Sequence, residues 1–563
     1  MTHTSTGRPK ASSSGIFITV LVFMGIVASA LQTLLVPVLD DLPLLLNTEP
    51  DDAAWTITAT LLSGAVATPI MGRLGDLYGK RRLLILSLAL MVAGAFVSAL
   101  TSVLLTMVIG RALQGFAMSA IPLGISLMRD MLPHEKHRPA MAIMSSTMGV
   151  GSSLGLPIAA LVVQHADWHI LFYGCAGLGV ICIGLILWAV PESPARTQGT
   201  FDLLGAIGLS AGLVLFLLPI SMGSEWGWTS GTTLGLFAAA AVVLILWGAL
   251  ELSIEAPLVN LRSTARPPVL FTNLASIAVG SSFLVVSLVL PRLLQLPTAT
   301  GYGLGQSMVT AALLMAPLGL TTVLVAPVYA RLSARYSPKV TLISGMVIIA
   351  VGYIGGLGLM SAAWQSLVIT IVLGVGIGLA YSSLPALIVD AAPAAQTASA
   401  NGLNTLMRSL GSSVAGALVG MVLANTAQSI NGVTVPTLHG FRMSFLIAAS
   451  AMAIGLLMAL FLPRIRVAED SKKGPPRRPM QTRKHAADGK SPCMMLRPNS
   501  SGEHHRTVGL DPWGHRGRVR SCATGTGPQA INHVQGTRPE SSRSACITTP
   551  TARPAVTKCS SST

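Results

Sequence analysis

The chain has 563 residues, 51% of them hydrophobic and only 10% charged, where a soluble domain carries about 25% charged residues. So few charges cannot build an ordinary wetted surface, which excludes a fully soluble globular enzyme; a mean hydropathy of +0.66, with 56 Gly and 24 Met, fits packed membrane helices instead. The formal net charge of +16 is unevenly placed, since residues 464–563 hold 18 Lys and Arg against six Asp and Glu.

A bilayer core about 30 Å thick takes roughly 20 apolar residues per crossing helix. In chain order such runs fall at 16–38, 54–71, 83–100, 103–125, 140–164, 169–190, 203–222, 233–252, 269–290, 307–329, 340–360, 365–388, 403–424 and 441–462. This predicts an all-α polytopic membrane protein with 14 spans. The first run reads as a span and not as a cleavable signal peptide, because it is long and the next span follows without a soluble domain to export. An even number of spans puts both termini on one side. The connections of that side carry Arg8, Lys10, Arg73, Lys80, Arg81, Arg82, Arg129, Lys136, Arg138, Arg196, Arg262, Arg266, Arg331, Arg335 and Lys339, against Arg292 and Arg442 on the other. Positive charge stays inside, so the termini are expected to be cytoplasmic. The first outer loop is acidic, with Asp40, Asp41, Glu49, Asp51 and Asp52.

Residues 464–563 have no apolar run able to span a membrane or form a core, and their Arg, Pro, Ser, Thr and Gly content predicts disorder. Two readings fit this segment: a basic tail that touches anionic lipid, or an unselected sequence read out of frame. It holds Cys493, Cys522, Cys546 and Cys559, while Cys175 and Cys182 lie in one apolar run; no pair has metal-ligand spacing, and no metal site or disulfide framework is expected.

The chain repeats itself. The connection after span 2, Gly72-Arg73-Leu74-Gly75-Asp76-Leu77-Tyr78-Gly79-Lys80-Arg81-Arg82, is echoed after span 10, where Arg331, Leu332 and Tyr336 match Arg73, Leu74 and Tyr78 at a shift of 258. Gly151-Ser152-Ser153 in span 5 answers Gly411-Ser412-Ser413 in span 13 at a shift of 260. Two echoes at nearly one offset imply two like-oriented halves of six spans, separated by spans 7 and 8, with a central site between them.

Three groups of residues stand out. In the 72–82 connection the glycines permit a tight turn, and Asp76 lies among Arg73, Lys80, Arg81 and Arg82. Its carboxylate can pair with a cation or meet the positive N-terminal end of a neighbouring helix, in a contact made in one conformation and broken in another. A solvated loop whose charges only set topology is the plainer reading. Arg111, within span 4, is costly there unless it faces a cavity or partner, or snorkels to an end; Gln114 follows about one turn on. In span 5, Gly149, Gly151, Gly155 and Pro157 allow close approach and a kink, suited equally to a moving interface and to plain tight packing.

These motifs resemble those of the major facilitator superfamily. G-R-L-G-D-L-Y-G-K-R-R looks like its span 2–3 loop motif, Arg111-Ala112-Leu113-Gln114-Gly115 its R-x-x-Q-G motif, and Gly149-x-Gly151-x-x-x-Gly155-x-Pro157 the Gly/Pro motif of its antiporters. With two spans inserted between the halves, the chain is similar to the fourteen-helix drug:proton antiporter family. The resemblance implies a major facilitator fold, with 14 transmembrane helices as two six-helix bundles plus two extra central helices. It also implies a conformational-switch loop (Gly72, Arg73, Gly75, Asp76, Gly79, Lys80, Arg81), proton coupling at Arg111, Gln114 and Gly115, and a span 5 that favours export. One departure concerns span 1, where the family carries an Asp in L-D-x-T and this chain has Leu31-Gln32-Thr33-Leu34. No Asp or Glu stands in the middle of any span, which leaves Asp76, Asp130, Asp390 and Asp40 or Asp41 as proton carriers to consider.

The expected organisation is an N-terminus over 1–15, a six-helix bundle over 16–190, two additional helices over 191–268, a second bundle over 269–463 and the tail over 464–563. The expected activity is proton-coupled export of small hydrophobic or drug-like compounds across the cell membrane, as a monomer in the lipid bilayer. The partners are a small-molecule substrate and protons, with no cofactor, no metal, no nucleic acid and no catalytic residues. Gln32 and Asn404 are expected to line the substrate cavity, and Arg408 to pair with Asp390. The rival is a facilitator or importer of a small nutrient.

Overall fold

The computed structural model describes residues 11–35, 38, 41–430 and 433–463. Asp40 and the 464–563 segment lie outside them. Among the described residues, thirteen helices are long and apolar enough to cross a membrane. They are α2 (Trp55–Tyr78), α3 (Lys80–Ala99), α4 (Leu104–Met131), α5 (His134–His165), α6 (His169–Ala189), α7 (Leu203–Trp226), α8 (Gly231–Ser253), α9 (Pro267–Gln295), α10 (Met308–Arg335), α11 (Pro338–Gly356), α12 (Ala363–Ala391), α13 (Thr397–Asn425) and α14 (Leu438–Leu460). They are preceded by the apolar α1 (Ala11–Ala30), which packs against α5 and α6. Predicted spans 2–14 therefore each coincide with a helix, whereas the first, expected over 16–38, is met by a helix that ends at Ala30. The small addition is a hairpin between α13 and α14, in which β1 (Ala427–Ile430) pairs antiparallel with β2 (Val433–Pro436).

Helix packing in lipid depends on close backbone approach, because lipid tails are as apolar as the side chains. The glycines provide that approach. Gly151 and Gly155 of α5 lie against Ala30 of α1, and Gly280 of α9 lies against the backbone of Arg408 in α13. One buried cluster is built mainly on α1 and α3–α6, including Met24, Leu84, Met128 and Phe172, and reaches Tyr329 of α10, Leu379 of α12 and Ala398 of α13. A second gathers α9–α14, including Val286, Leu342, Leu373 and Phe445. The second cluster lies within one half, whereas the first is shared across the seam. A third, smaller cluster joins α7 to α2 and α13 through Ala65, Leu209, Leu213, Leu403 and Leu406. The inserted pair is therefore anchored by α7, while α8 packs on α7 and is little covered by protein.

The halves meet through α2 with α13 and α5 with α10. Under the repeat, span 2 corresponds to span 10 and span 5 to span 13, so the two contacts are equivalents of one another. The duplication is also written in the backbone. Gly79 turns the chain between α2 and α3 at φ 117°, and Ser337, at the same shift of 258, turns it between α10 and α11 at φ 138°. Serine there adopts a positive φ that glycine takes freely.

The 72–82 segment is not the open loop that its glycines suggest. Gly72, Arg73, Gly75 and Asp76 belong to the last turns of α2, and Lys80 and Arg81 open α3, so Gly79 alone makes the turn. The glycines serve approach more than flexibility: a Cβ on Gly72 would stand 2.7 Å from the Ala398 carbonyl, and one on Gly75 would press into Leu123.

Candidate functional site

Where α2 ends, the two halves are joined by a buried charged junction. The Asp76 side chain has no exposed surface, and its carboxylate accepts from the backbone N–H of Ser399 at 2.8 Å and of Ala398 at 3.2 Å. Both amides belong to the first turn of α13, where N–H groups have no partner inside the helix and the helix dipole favours negative charge. A carboxylate in the first half thus caps a helix of the second. Lys80, also without exposed surface, lies one turn away, with its ammonium 3.6 Å from Asp76 and 2.6 Å from Asp130 of α4. It donates to Thr397 Oγ1 at 3.1 Å, which adds a second bond across the seam. Burying charge is costly unless it is paired and hydrogen-bonded, and here two carboxylates flank one ammonium.

The linker between α6 and α7 braces this junction. Ser193 donates to Asp130 at 2.5 Å, and Thr197 takes the Asp76 carbonyl at 2.8 Å through its N–H while its hydroxyl donates to Ala395 at 2.6 Å. Glu192 occupies the space that Gly79 leaves open and accepts from the Arg81 N–H at 3.1 Å, at the start of α3. Arg81 reaches the Leu187 carbonyl at 2.7 Å, and Arg73 is buried with its Nε free of any acceptor. Further along the same face, Arg138 at the start of α5 meets Asp390 of α12 at 3.6 Å and the Ser333 carbonyl of α10 at 3.4 Å. Arg129 donates to the Ala392 carbonyl at 3.4 Å. The Gly72–Arg82 and Ala330–Lys339 segments therefore sit on one face, as the like-oriented halves require.

Arg111 is only 2% exposed and does not snorkel. Its Nε donates to the Thr56 carbonyl of α2 at 3.2 Å and its Nη1 to Gln114 Oε1 at 2.7 Å; Gln114 in turn donates to Ser98 of α3 at 3.1 Å. Thr60 closes the set by donating to the Arg111 carbonyl at 3.0 Å. Gly115 marks the point where α4 tightens into a 3-10 turn, Phe116–Ser119, and packs on the backbone of Thr60 and Gly64. Arg111, Gln114 and Gly115 thus tie α2, α3 and α4 together, and among the described residues no carboxylate pairs with Arg111.

The small residues of α5 divide between two neighbours. Gly149 faces the seam, where a Cβ would come 2.5 Å from Thr322 Oγ1 of α10, whereas Gly151 and Gly155 face α1 inside their own half. Pro157 lies buried within α5. The moving-interface reading therefore fits Gly149, and the plain-packing reading fits Gly151 and Gly155. Gln32 stands in the turn just after α1, half-buried. Asn404 is buried and donates to Asn273 at 2.9 Å and Ser276 at 2.7 Å of α9, so it holds α13 to α9. The expected Arg408–Asp390 pair does not form. Asp390 meets Arg138, and Arg408 lies about three turns into α13 with its guanidinium 5.1 Å over the Tyr381 ring. The expectation failed because α13 begins at Thr397 and not near residue 403, which sets Arg408 deeper.

Sequence reading missed Ser193, Thr197 and Glu192. They lie in a polar linker without periodicity, and only their approach to Asp130, Asp76 and Gly79 gives them meaning. It also missed the buried Glu251 near the end of α8, which faces Asp202 at the start of α7 across Gly205.

Comparison with known proteins agrees with this architecture. A family model described as Major Facilitator Superfamily matches residues 21–416 and, in a second match, 275–520. The first begins in α1 and runs into α13, and the second begins in α9. Multidrug resistance protein 3 of Bacillus subtilis (strain 168) is 23% identical over 384 residues, covering 67% of this chain and 73% of that protein. The Tetracenomycin C resistance and export protein of Streptomyces glaucescens is 26% identical over 385 residues, covering 66% and 69%. Among solved structures, the proton:xylose symporter XylE superposes with a TM-score of 0.58 at 14% identity, over 81% of this chain and 97% of that one, and so shares the fold.

Proposed function

The chain belongs to the major facilitator superfamily, a family of multi-pass membrane transporters and not of enzymes, and from that premise we propose that it is a proton-coupled exporter of small hydrophobic or drug-like compounds working by alternating access. The observation that carries this reading is the Asp76 carboxylate capping α13 across the seam. It is a contact of a few bonds across the seam, so it can break without unfolding either half. The face that bears it is the cytoplasmic one on the charge bias of its connections, and this structure then represents the state closed to the cytoplasm. Opening that face releases α13 from Asp76, and substrate enters between the halves. Relatives named for multidrug resistance and for tetracenomycin C resistance and export support the outward direction.

The proton path runs through buried groups that lack a mid-span carboxylate. Arg111 stays charged and so positions its network without carrying the proton, which leaves Asp76 and Asp130, both on Lys80, as the acids whose protonation loosens the junction. The same lack of a mid-span acid favours one rival, an uncoupled facilitator of a small metabolite. Purified full-length chain in proteoliposomes with a panel of lipophilic dyes separates them. An imposed pH gradient drives dye against its own gradient with matching proton flow if the proposal holds. Equal dye flux with and without the gradient supports the facilitator, and no flux of any dye rejects drug export.

A further inference from the structure

Arg408 is a buried cation without a carboxylate partner among the described residues. It is 4% exposed, stands in the interior of α13, and makes two polar contacts, neither to a charged group: Nη2 donates to Thr405 Oγ1 at 3.1 Å and to Met148 Sδ at 3.5 Å. Nε has no acceptor. A further neighbour is the Tyr381 ring, with the guanidinium carbon 5.1 Å above its centroid. No Asp or Glu among the described residues comes within ion-pair distance. Arg111 differs, since two full acceptors, a carbonyl and an amide oxygen, meet its guanidinium. Lys80 and Arg138, by contrast, are each met by a carboxylate.

The position is as telling as the lack of a partner. Met148 belongs to α5 of the first half, while Tyr381 and Arg408 belong to α12 and α13 of the second, so the guanidinium sits at the seam. Met148 is only partly buried, and Phe283 stacks obliquely on Tyr381 at 6.2 Å. When the halves part, the thioether withdraws and a forked donor is left over an aromatic wall. A guanidinium is always charged and matches carboxylate and sulfonate oxygens in pairs. Its thioether and ring contacts are those of a placeholder that a charged acceptor outcompetes.

We propose that Arg408 is the anion-recognition group of the central site, so that the transported compounds include amphipathic organic anions whose carboxylate or sulfonate pairs with Arg408 and whose aromatic or apolar body lies on Tyr381, Phe283 and Met148. The proposal rests on the transporter reading and narrows its substrate class.

Two measurements test it. In proteoliposomes holding full-length chain, the flux ratio of carboxyfluorescein, an anion, to Nile red, a neutral dye, is compared between wild type and Arg408→Gln. A fall of about tenfold or more in that ratio is expected from the loss of a charge-assisted pair, and an unchanged ratio overturns the proposal. Wild type that moves neither dye contradicts the transporter reading itself, and binding then decides Arg408 independently. Purified protein is titrated with 1-pyrenebutyrate and with its methyl ester. The acid should bind wild type about tenfold or more tighter than the variant, with the ester nearly indifferent to the change. Equal loss for acid and ester, or no loss for the acid, refutes anion recognition. Should Arg408→Gln fail to fold, Arg408→Lys, which keeps the charge but not the fork, replaces it, with a smaller fall in the same ratio expected and no fall overturning the proposal.

Discussion

Asp76→Asn is the sharpest perturbation of the seam. The carboxylate accepts two backbone N–H groups across the halves, at 2.8 Å and 3.2 Å. A hydrogen bond to a charged group contributes about 1.5–3 kcal/mol net, and the longer one is counted at the low end. Asparagine keeps one acceptor, turns the other oxygen into a donor facing an N–H, and removes the charge that meets both the α13 terminus and Lys80. The closed arrangement should lose about 3 kcal/mol, roughly two orders of magnitude in the closed-to-open ratio. Spin labels at Tyr78 and Tyr336 report it. These residues are repeat-related, 53% and 54% exposed, and on the same face in opposite halves. With the native cysteines replaced by serine, pulsed electron-electron distance measurements should show a longer, broader population in the variant. Identical distributions in parent and variant, with both proteins folded, would refute a latch at Asp76.

Other substitutions probe other parts of the scheme. Arg111→Lys keeps the charge but cannot hold the Thr56 carbonyl and Gln114 together, so gradient-driven flux should fall about tenfold or more; wild-type coupled flux in this variant contradicts a coupling role. Gly149→Leu and Gly151→Leu should part company, because the first side chain meets Thr322 across the seam and the second meets Ile26, Ser29 and Ala30 within one half. The Gly149 variant is expected to reach the membrane at normal levels without transporting, while the Gly151 variant loses about 1–3 kcal/mol or more of folding stability by overpacking, read as a lower unfolding midpoint; the reverse pattern would show the two contacts misassigned. Ser337→Gly should stabilise the chain by about 1 kcal/mol, since relief of a positive φ outweighs a cap to Val340, and a lower unfolding midpoint would show that the cap dominates.

Much of the fold was legible because each span must be apolar over its whole lipid-facing length, and the connections must carry charge. The helix ends were not. Gly72–Tyr78 and Thr397–Gly402 are helical beyond the apolar windows, because the junction between the halves, and not lipid, covers them. That explains both the loop that proved to be helix and the misplaced depth of Arg408. The 258-residue shift was visible in Arg, Leu and Tyr matches, but its strongest expression, the shared turn at Gly79 and Ser337, joins two different residue types. At the site, sequence placed Asp76 among cations and allowed it a helix N-terminus; it could not say that the helix begins 321 positions later at Thr397, nor that Asp130, Ser193 and Thr197 complete the setting.

That the two halves part and rejoin at this face in every transport cycle is best tested by holding them together. Cysteines at Arg138 and Asp390, whose side chains meet across the seam at 3.6 Å, can be bridged by a short methanethiosulfonate cross-linker in a background free of other cysteines. Dye flux in proteoliposomes should fall to the protein-free level on bridging and return on reduction. Undiminished flux from fully bridged protein would contradict a seam that opens.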